Sequence, residues 1–344
     1  MTVWLVVAGV ALVPVVFGGR VAAMLAEAEW VRRHPRAALV LWQAIGLAGG
    51  LGAVGVGLVA AVAPLAAAFP HGMHTFGHQV ADGRGLAGLG PVHSLALAWS
   101  AALIAWLVAH TARTALRTVA RQRRQRTLVD VLADRIDEHE MGLLPDRESA
   151  LPPERGGDRA RGVARDRGEG VYVLPGAEPV AYCVPGWRSR VVLSRGALEL
   201  LDPAELRAVL AHERAHARGR HDLFLMPFQG LAAAFPWLPV VKAARRAVPV
   251  LLEMLADDRA RQVSGDRTLA RAIVLMAAPK GPGFGLADEG AVQRVERLLG
   301  TSRGGRWVPA AVYAAALALM SGPVAIMIAP VVCGVMVAPV CGAV

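Results

Sequence analysis

The stretch His212-Glu213-Arg214-Ala215-His216 reads H-E-x-x-H. Positions i and i+4 of a helix share one face, so both imidazoles can reach one metal ion. Zinc accepts imidazole nitrogen at about 2.0–2.1 Å; in a catalytic site it takes a third protein ligand and keeps a position open for water. Glu213 is turned about 100° around the helix from His212, where it can reach that water as a general base. Leu206-Arg-Ala-Val-Leu-Ala211 leads in with good helix formers. Asp202-Pro203 supplies an N-cap and a proline at the first helical position. The competing reading of so short a motif is a charged surface helix with two incidental histidines.

Two candidates for the third ligand lie downstream. Gly219 and Asp222 follow at the offsets of the extended metzincin pattern, with Asp in place of its third His and with His221 one residue short. The other candidate is Glu253, in Leu252-Glu-Met-Leu-Ala-Asp-Asp258, a segment that reads as a separate helix with Glu253 and Asp257 on one face. Two His and one Glu form an established catalytic zinc set. Asp257 could then hold a ligand His through its free ring N–H. Against this stands a solvated face on which Glu253, Asp257 and Asp258 pair with Arg259 and Arg261.

Apolar residues make up 55% of the 344 and the mean hydropathy is +0.43. They are segregated into long runs rather than spread periodically, which points to membrane spans. The runs cover 2–18, 37–69, 93–110 and 307–344. The first has neither a basic leader nor a small-residue cleavage site, so an uncleaved span is favoured over a signal peptide. Gly46 and Gly50 have the small-xxx-small spacing of close helix packing. The last run is long enough for one tilted span with an apolar tail, or for a tight hairpin through Gly322-Pro323.

Arginines set the orientation. Arg20, Arg32, Arg33 and Arg36 separate the first two runs, and Arg113, Arg117, Arg121, Arg123, Arg124 and Arg126 follow the third. The loop between the second and third carries only Arg84. The positive-inside rule then places the N-terminus outside and residues 111–306 in the cytoplasm. The formal net charge of +10 is met by topology and contact with membrane lipid, without a nucleic-acid partner, since no recognition motif accompanies the arginines. Three cysteines with no C-x-x-C pair argue against a disulfide framework and against a thiolate zinc site.

The expected organisation is a membrane region, 1–110, with spans at about 2–18, 38–62 and 93–110. A cytoplasmic domain, 111–306, and a terminal span, 307–344, follow. Within the cytoplasmic part, 111–140 reads as a helix continuing the third span, and 145–170 as a polar loop. Val171–Leu174 and Arg190–Leu193 read as strands of a small antiparallel sheet, with turns at Pro175-Gly176 and Pro185-Gly186. The apolar segment Leu223–Val241 holds Pro227, Pro236 and Pro239. A single crossing there would put downstream ligands in another compartment from His212 and His216, so a helical hairpin against the membrane, or core, is expected.

These residues resemble a known group. Val209-Leu-Ala-His-Glu-Arg-Ala-His216, Val191-Val-Leu-Ser-Arg-Gly-Ala-Leu198 and the Glu253-x-x-Ala-Asp257 element are similar to the membrane-integral gluzincins of the BlaR/MecR antirepressor type. The HtpX-type membrane peptidases are close relatives of that group. The resemblance implies an α-helical integral membrane protein carrying an α+β zincin-like metallopeptidase domain. It implies that His212, His216 and Glu253 bind one Zn²⁺, that Glu213 is the catalytic acid/base, and that Asp257 supports a ligand His. It also implies a polypeptide substrate: a cytosolic transcriptional repressor in a signalling pathway by the antirepressor type, or a misfolded membrane protein by the HtpX type. The antirepressor receptors carry an extracellular penicillin-binding sensor after the last span, whereas an apolar tail stands here. Two other classes stay open. One is a non-catalytic receptor or scaffold with a structural metal. The other is a metal sensor built on His71, His74 and His78, with His93 nearby, in the outer loop.

Overall fold

A computed structural model describes residues 18–25, 28–65, 69–136, 171–186, 189–277, 286–300 and 305–337. The helices before the sheet are α1 (Glu29–Arg33), α2 (Pro35–Val62), α3 (Phe69–Ala81) and α4 (Pro91–Leu132). Then come β1 (Asp134–Ile136), β2 (Val171–Leu174), β3 (Ala181–Val184) and β4 (Arg190–Ser194). Helices α5 (Arg195–Leu200), α6 (Pro203–Gly219), α7 (His221–Ala234) and α8 (Pro239–Ser264) follow. The chain ends with α9 (Asp266–Ala277), α10 (Leu286–Leu299) and α11 (Val308–Val337). It divides into two compact units: residues 1–115, 226–251 and 304–344 in the first, and 116–225 with 252–303 in the second.

Three helices in the described residues are long and apolar enough to cross a membrane: α2, α4 and the Val308–Ala325 part of α11. Each coincides with an expected run; the run at 2–18 lies outside the described residues but for Gly18. Along α4, Leu95, Trp99, Ile104, Trp106 and Val108 are exposed. Such a surface suits lipid rather than water. In the first unit α11 packs against α2 and α3, and α2 buries Trp42, Ala48, Val59 and Val62. The close approach of α2 to α4 comes at Gly57, where an added Cβ would lie 2.2 Å from the Ser100 hydroxyl. That hydroxyl donates to the Val54 carbonyl at 3.1 Å. The spacing of Gly46 and Gly50 does not mark such an approach: a Cβ on Gly46 would meet only side chains of Leu231 and Phe228, and one on Gly50 nothing within 4 Å.

Helix α11 runs unbroken through Gly322-Pro323, so the tight hairpin there is not formed. Proline is tolerated inside an apolar helix, where neighbouring groups satisfy the freed carbonyl. The 223–241 segment is not one long helix: α7 stops at Ala234 and α8 starts at Pro239, agreeing with the hairpin or core reading. Phe228, Leu231, Phe235 and Trp237 of that segment line an apolar cavity of about 550 Å³ together with Trp42 and Trp99.

The second unit holds the sheet, whose order is β1-β2-β4-β3. It is mixed, not antiparallel as the turn signals led us to expect. β2 and β4 run parallel with Val171 opposite Val191, while β1 and β3 pair antiparallel on the outside. The turn residues between β2 and β4 hold an additional strand, Ala181–Val184, so the two expected strands are separated by a crossover and cannot form a hairpin. A second departure is that α4 ends at Leu132 and Asp134–Ile136 is a strand, not the end of a helix reaching 140. The polar loop expected at 145–170 lies outside the described residues.

Val171, Val191 and Leu193 bury one face of the sheet against Leu206, Val209 and Leu210 of α6. Another face of α6, through Ala208, packs with Ala260, Leu269, Ile273 and Leu298 of α8, α9 and α10. The H-E-x-x-H helix is thereby clamped between sheet and helices.

Candidate metal centre

Helix α6 begins as the residues dictate. Asp202 accepts hydrogen bonds from the amides of Ala204 (2.8 Å) and Glu205 (2.9 Å), and the Glu205 carboxylate accepts from the Asp202 amide at 2.9 Å. This capping box, with Pro203 in the first turn, fixes where the helix starts and hence the phase at which His212 and His216 emerge. Helix α8 continues past its internal Pro249 and carries Glu253 and Asp257 four residues apart.

The three donors meet. His212 Nε2 lies 3.1 Å from His216 Nε2 and 3.1 Å from Glu253 Oε2, and His216 Nε2 lies 3.3 Å from Glu253 Oε1. The two carboxylate oxygens thus face one imidazole each, and one ligand atom from each of the three residues lies within 4.8 Å of the others. A tetrahedron with bonds of about 2.0–2.1 Å to its centre has edges of about 3.3 Å, so donors this close can converge on one zinc ion. Among the described residues these three form the grouping of His, Cys, Asp and Glu able to hold a metal ion. Two imidazoles and a carboxylate are also the donor chemistry zinc accepts. The residues present therefore fit the metal.

Asp257, fully buried, lies behind His212, its Oδ1 3.0 Å from His212 Nδ1. Arg294, on α10, forms a two-pronged pair with the same carboxylate, at 2.8 and 2.7 Å, and reaches Glu253 Oε2 at 3.1 Å. Nothing in the sequence marks Arg294 as a member of the site. It stands 37 residues from Asp257 with no motif around it, and only packing of α10 brings it in. The proposed solvated face is half right: Arg261 pairs with Asp266 and lies 3.9 Å from Asp258, but Glu253 and Asp257 turn inward.

Asp222 goes elsewhere, accepting a hydrogen bond from Gln122 at 3.3 Å. His221, one residue short of the metzincin position, stands behind the cluster: its Nδ1 is 2.8 Å from His216 Nδ1. In the 69–81 helix, His74 and His78 touch through their Nε2 atoms at 3.2 Å, and no third donor completes a metal-binding group there among the described residues. We expect one zinc per chain by metal analysis. Replacing His71, His74 and His78 together by Ala should leave that stoichiometry unchanged; a fall would place a second site in that helix.

Electrostatics follow the geometry. Burial opposes a charge on His212, yet Asp257 and Glu253 outweigh it and push the imidazole up to about 9. Burial acts against ionised Glu253 too, but His212 and His216 hold its carboxyl well below the usual carboxylate range. Asp257 is likewise lowered against its burial, by Arg294 and then His212. Burial pushes the Glu213 carboxyl up, with the neighbouring histidines pulling the other way. Burial, followed by the nearby His216, takes His221 down to about 4. The pocket is thus built to hold positive charge among its carboxylates.

Residues 162–257 match the model of Peptidase family M48. That span contains His212, Glu213, His216, His221, Glu253 and Asp257, so the converging donors and the peptidase signature occupy one segment. Over 71 residues the chain is 38% identical to the Protease HtpX homolog of Aquifex aeolicus (strain VF5), covering 20% of this chain and 23% of that one. The chain therefore spans under a quarter of the length of the curated relative it matches. No solved structure matches it. A metallopeptidase of the M48 type on a chain with three span-length apolar helices is what these likenesses support.

Proposed function

We propose that the protein is a membrane-bound zinc endopeptidase acting at the cytoplasmic membrane face. The observation that carries this reading is the triangle of His212, His216 and Glu253 donors, with buried Glu213 beside it on α6. His212, His216 and Glu253 would hold the ion. When bound, zinc supplies polarisation of a scissile carbonyl and a water acidified towards pKa ~7. Glu213 takes the proton of the attacking water and hands it to the leaving amine. Asp257, held by Arg294, fixes the orientation of the His212 ring. The arginines after the third apolar run support the cytoplasmic placement.

Two substrate classes follow from the family likenesses: a cytosolic transcriptional repressor, or a misfolded membrane protein. The identity with an HtpX homologue favours the second. Proteomics on cells expressing the wild type against Glu213→Gln tests the reading. Fragments of integral membrane proteins that vanish in the variant support the HtpX-type substrate; fragments of one soluble DNA-binding protein support the antirepressor type. Identical fragment sets, with the cellular phenotype intact in the variant, would leave a scaffold with a structural metal.

A further inference from the structure

The turn that ends the H-E-x-x-H helix is unusual in its backbone. Arg220, at φ 46 and ψ 47, is the one non-glycine residue with positive φ among the described residues. Its amide donates to the carbonyls of Ala217 and His216, closing α6, and α7 starts at the next residue. A side chain held in this left-handed region persists where surrounding structure enforces it. What the turn achieves is to throw the His221 ring back onto α6. His221 is 4% exposed, and its ring stands 4.7 Å from that of His216, nearly perpendicular at 84°. Gly219 makes room for it: an added Cβ would lie 2.4 Å from His221 Nε2.

His216 can offer its Nε2 lone pair to a metal only as the tautomer protonated at Nδ1. That Nδ1–H needs an acceptor in a site where His216 is largely buried. The atom facing it, 2.8 Å away, is His221 Nδ1. The group facing the corresponding nitrogen of His212 is a carboxylate, Asp257 Oδ1 at 3.0 Å. The two ligand rings are therefore backed by chemically different groups, one anionic and one neutral. A neutral backing group would add no further negative charge beside a bound ion.

We propose that His221 is the positioning residue of His216, accepting its Nδ1–H and fixing the metal-binding tautomer, with Gly219 and the Arg220 turn serving to seat its ring. The proposal rests on the reading of His212, His216 and Glu253 as a metal site. The test uses the full-length protein in detergent, with zinc affinity read by competition against a chromophoric chelator and coordination read from the visible spectrum of the cobalt-substituted protein. His221→Ala should weaken zinc binding about 10–100-fold, the cost typical of losing such a partner, and shift the cobalt bands. His221→Asn, which keeps a side-chain acceptor, should restore both to within a few-fold of wild type. Gly219→Ala should behave like His221→Ala. If the alanine variant does not fold, His221→Leu fills the volume without an acceptor, and its contrast with Asn carries the same comparison. Wild-type affinity and an unchanged cobalt spectrum in the variants lacking an acceptor overturn the role of His221 alone. A wild type that takes up no zinc overturns the metal centre itself, and this role with it.

Discussion

Glu213→Gln is expected to leave zinc uptake unchanged and to lower peptide-bond cleavage by a factor of about 10²–10⁴, the range a positioned general acid or base contributes. The substitution is nearly isosteric, and Glu213 is not one of the three converging donors, so the ion loses nothing. What disappears is the carboxylate that accepts a proton. Its burial on α6 already raises its proton affinity, and a general base is most effective when its pKa approaches the working pH. Metal analysis beside a cleavage assay on a denatured protein substrate separates the outcomes. Loss of zinc would make Glu213 part of the site's structure; unimpaired cleavage would transfer the base role to another group.

The part of this site that could be read from the residues is the part set by local periodicity. An i, i+4 pair of histidines needs only a helix, and Asp202-Pro203 announces where that helix starts. Glu253 and Asp257 were legible for the same reason: four residues apart, they share a face of α8. The ligand-set precedent favoured an inward face, but spacing alone did not settle it, because a carboxylate pair beside Arg259 and Arg261 can also be read as solvated surface. Packing decided it, burying Asp257 fully and sending Arg261 to Asp266. Arg294 and His221 escaped for two different reasons. Arg294 arrives by long-range packing, which no spacing rule encodes. His221 lies close in sequence, but its role depends on a left-handed Arg220, a conformation that residue type does not suggest.

The sheet shows the same division. Strands were legible at Val171–Leu174 and Arg190–Leu193 by their β-branched runs, and the second extends to Ser194. Their mutual direction depended on Ala181–Val184, a short strand set between Pro- and Gly-containing turns that reads as part of a loop. Inserting it turns a hairpin into a crossover and makes the central pair parallel. In the membrane part, length and hydropathy locate α2, α4 and α11, while the contact between α2 and α4 at Gly57 and Ser100 follows from side-chain geometry that a Gly-rich composition obscures.

Removing one member of the Asp257–Arg294 pair is expected to be the most damaging change to stability in the second unit. Asp257 has no exposed surface and takes both prongs of Arg294. In Asp257→Ala the guanidinium stays largely buried with its main partner gone, and breaking a buried pair this way costs about 3–5 kcal/mol. The His212 ring also loses the group 3.0 Å from its Nδ1, so zinc should bind about 10–100-fold more weakly. The two effects separate in the double variant Asp257→Leu/Arg294→Met. Replacing a buried ion pair by apolar groups of similar size is often neutral for stability, so the double variant should recover most of the lost unfolding midpoint. It should not recover zinc affinity, because no acceptor stands behind His212. Thermal unfolding at a fixed scan rate, with and without zinc, provides the first readout, and chelator competition provides the second. A double variant that regains both stability and zinc affinity would show that Asp257 serves packing alone, and that the orientation of His212 is set by its own helix.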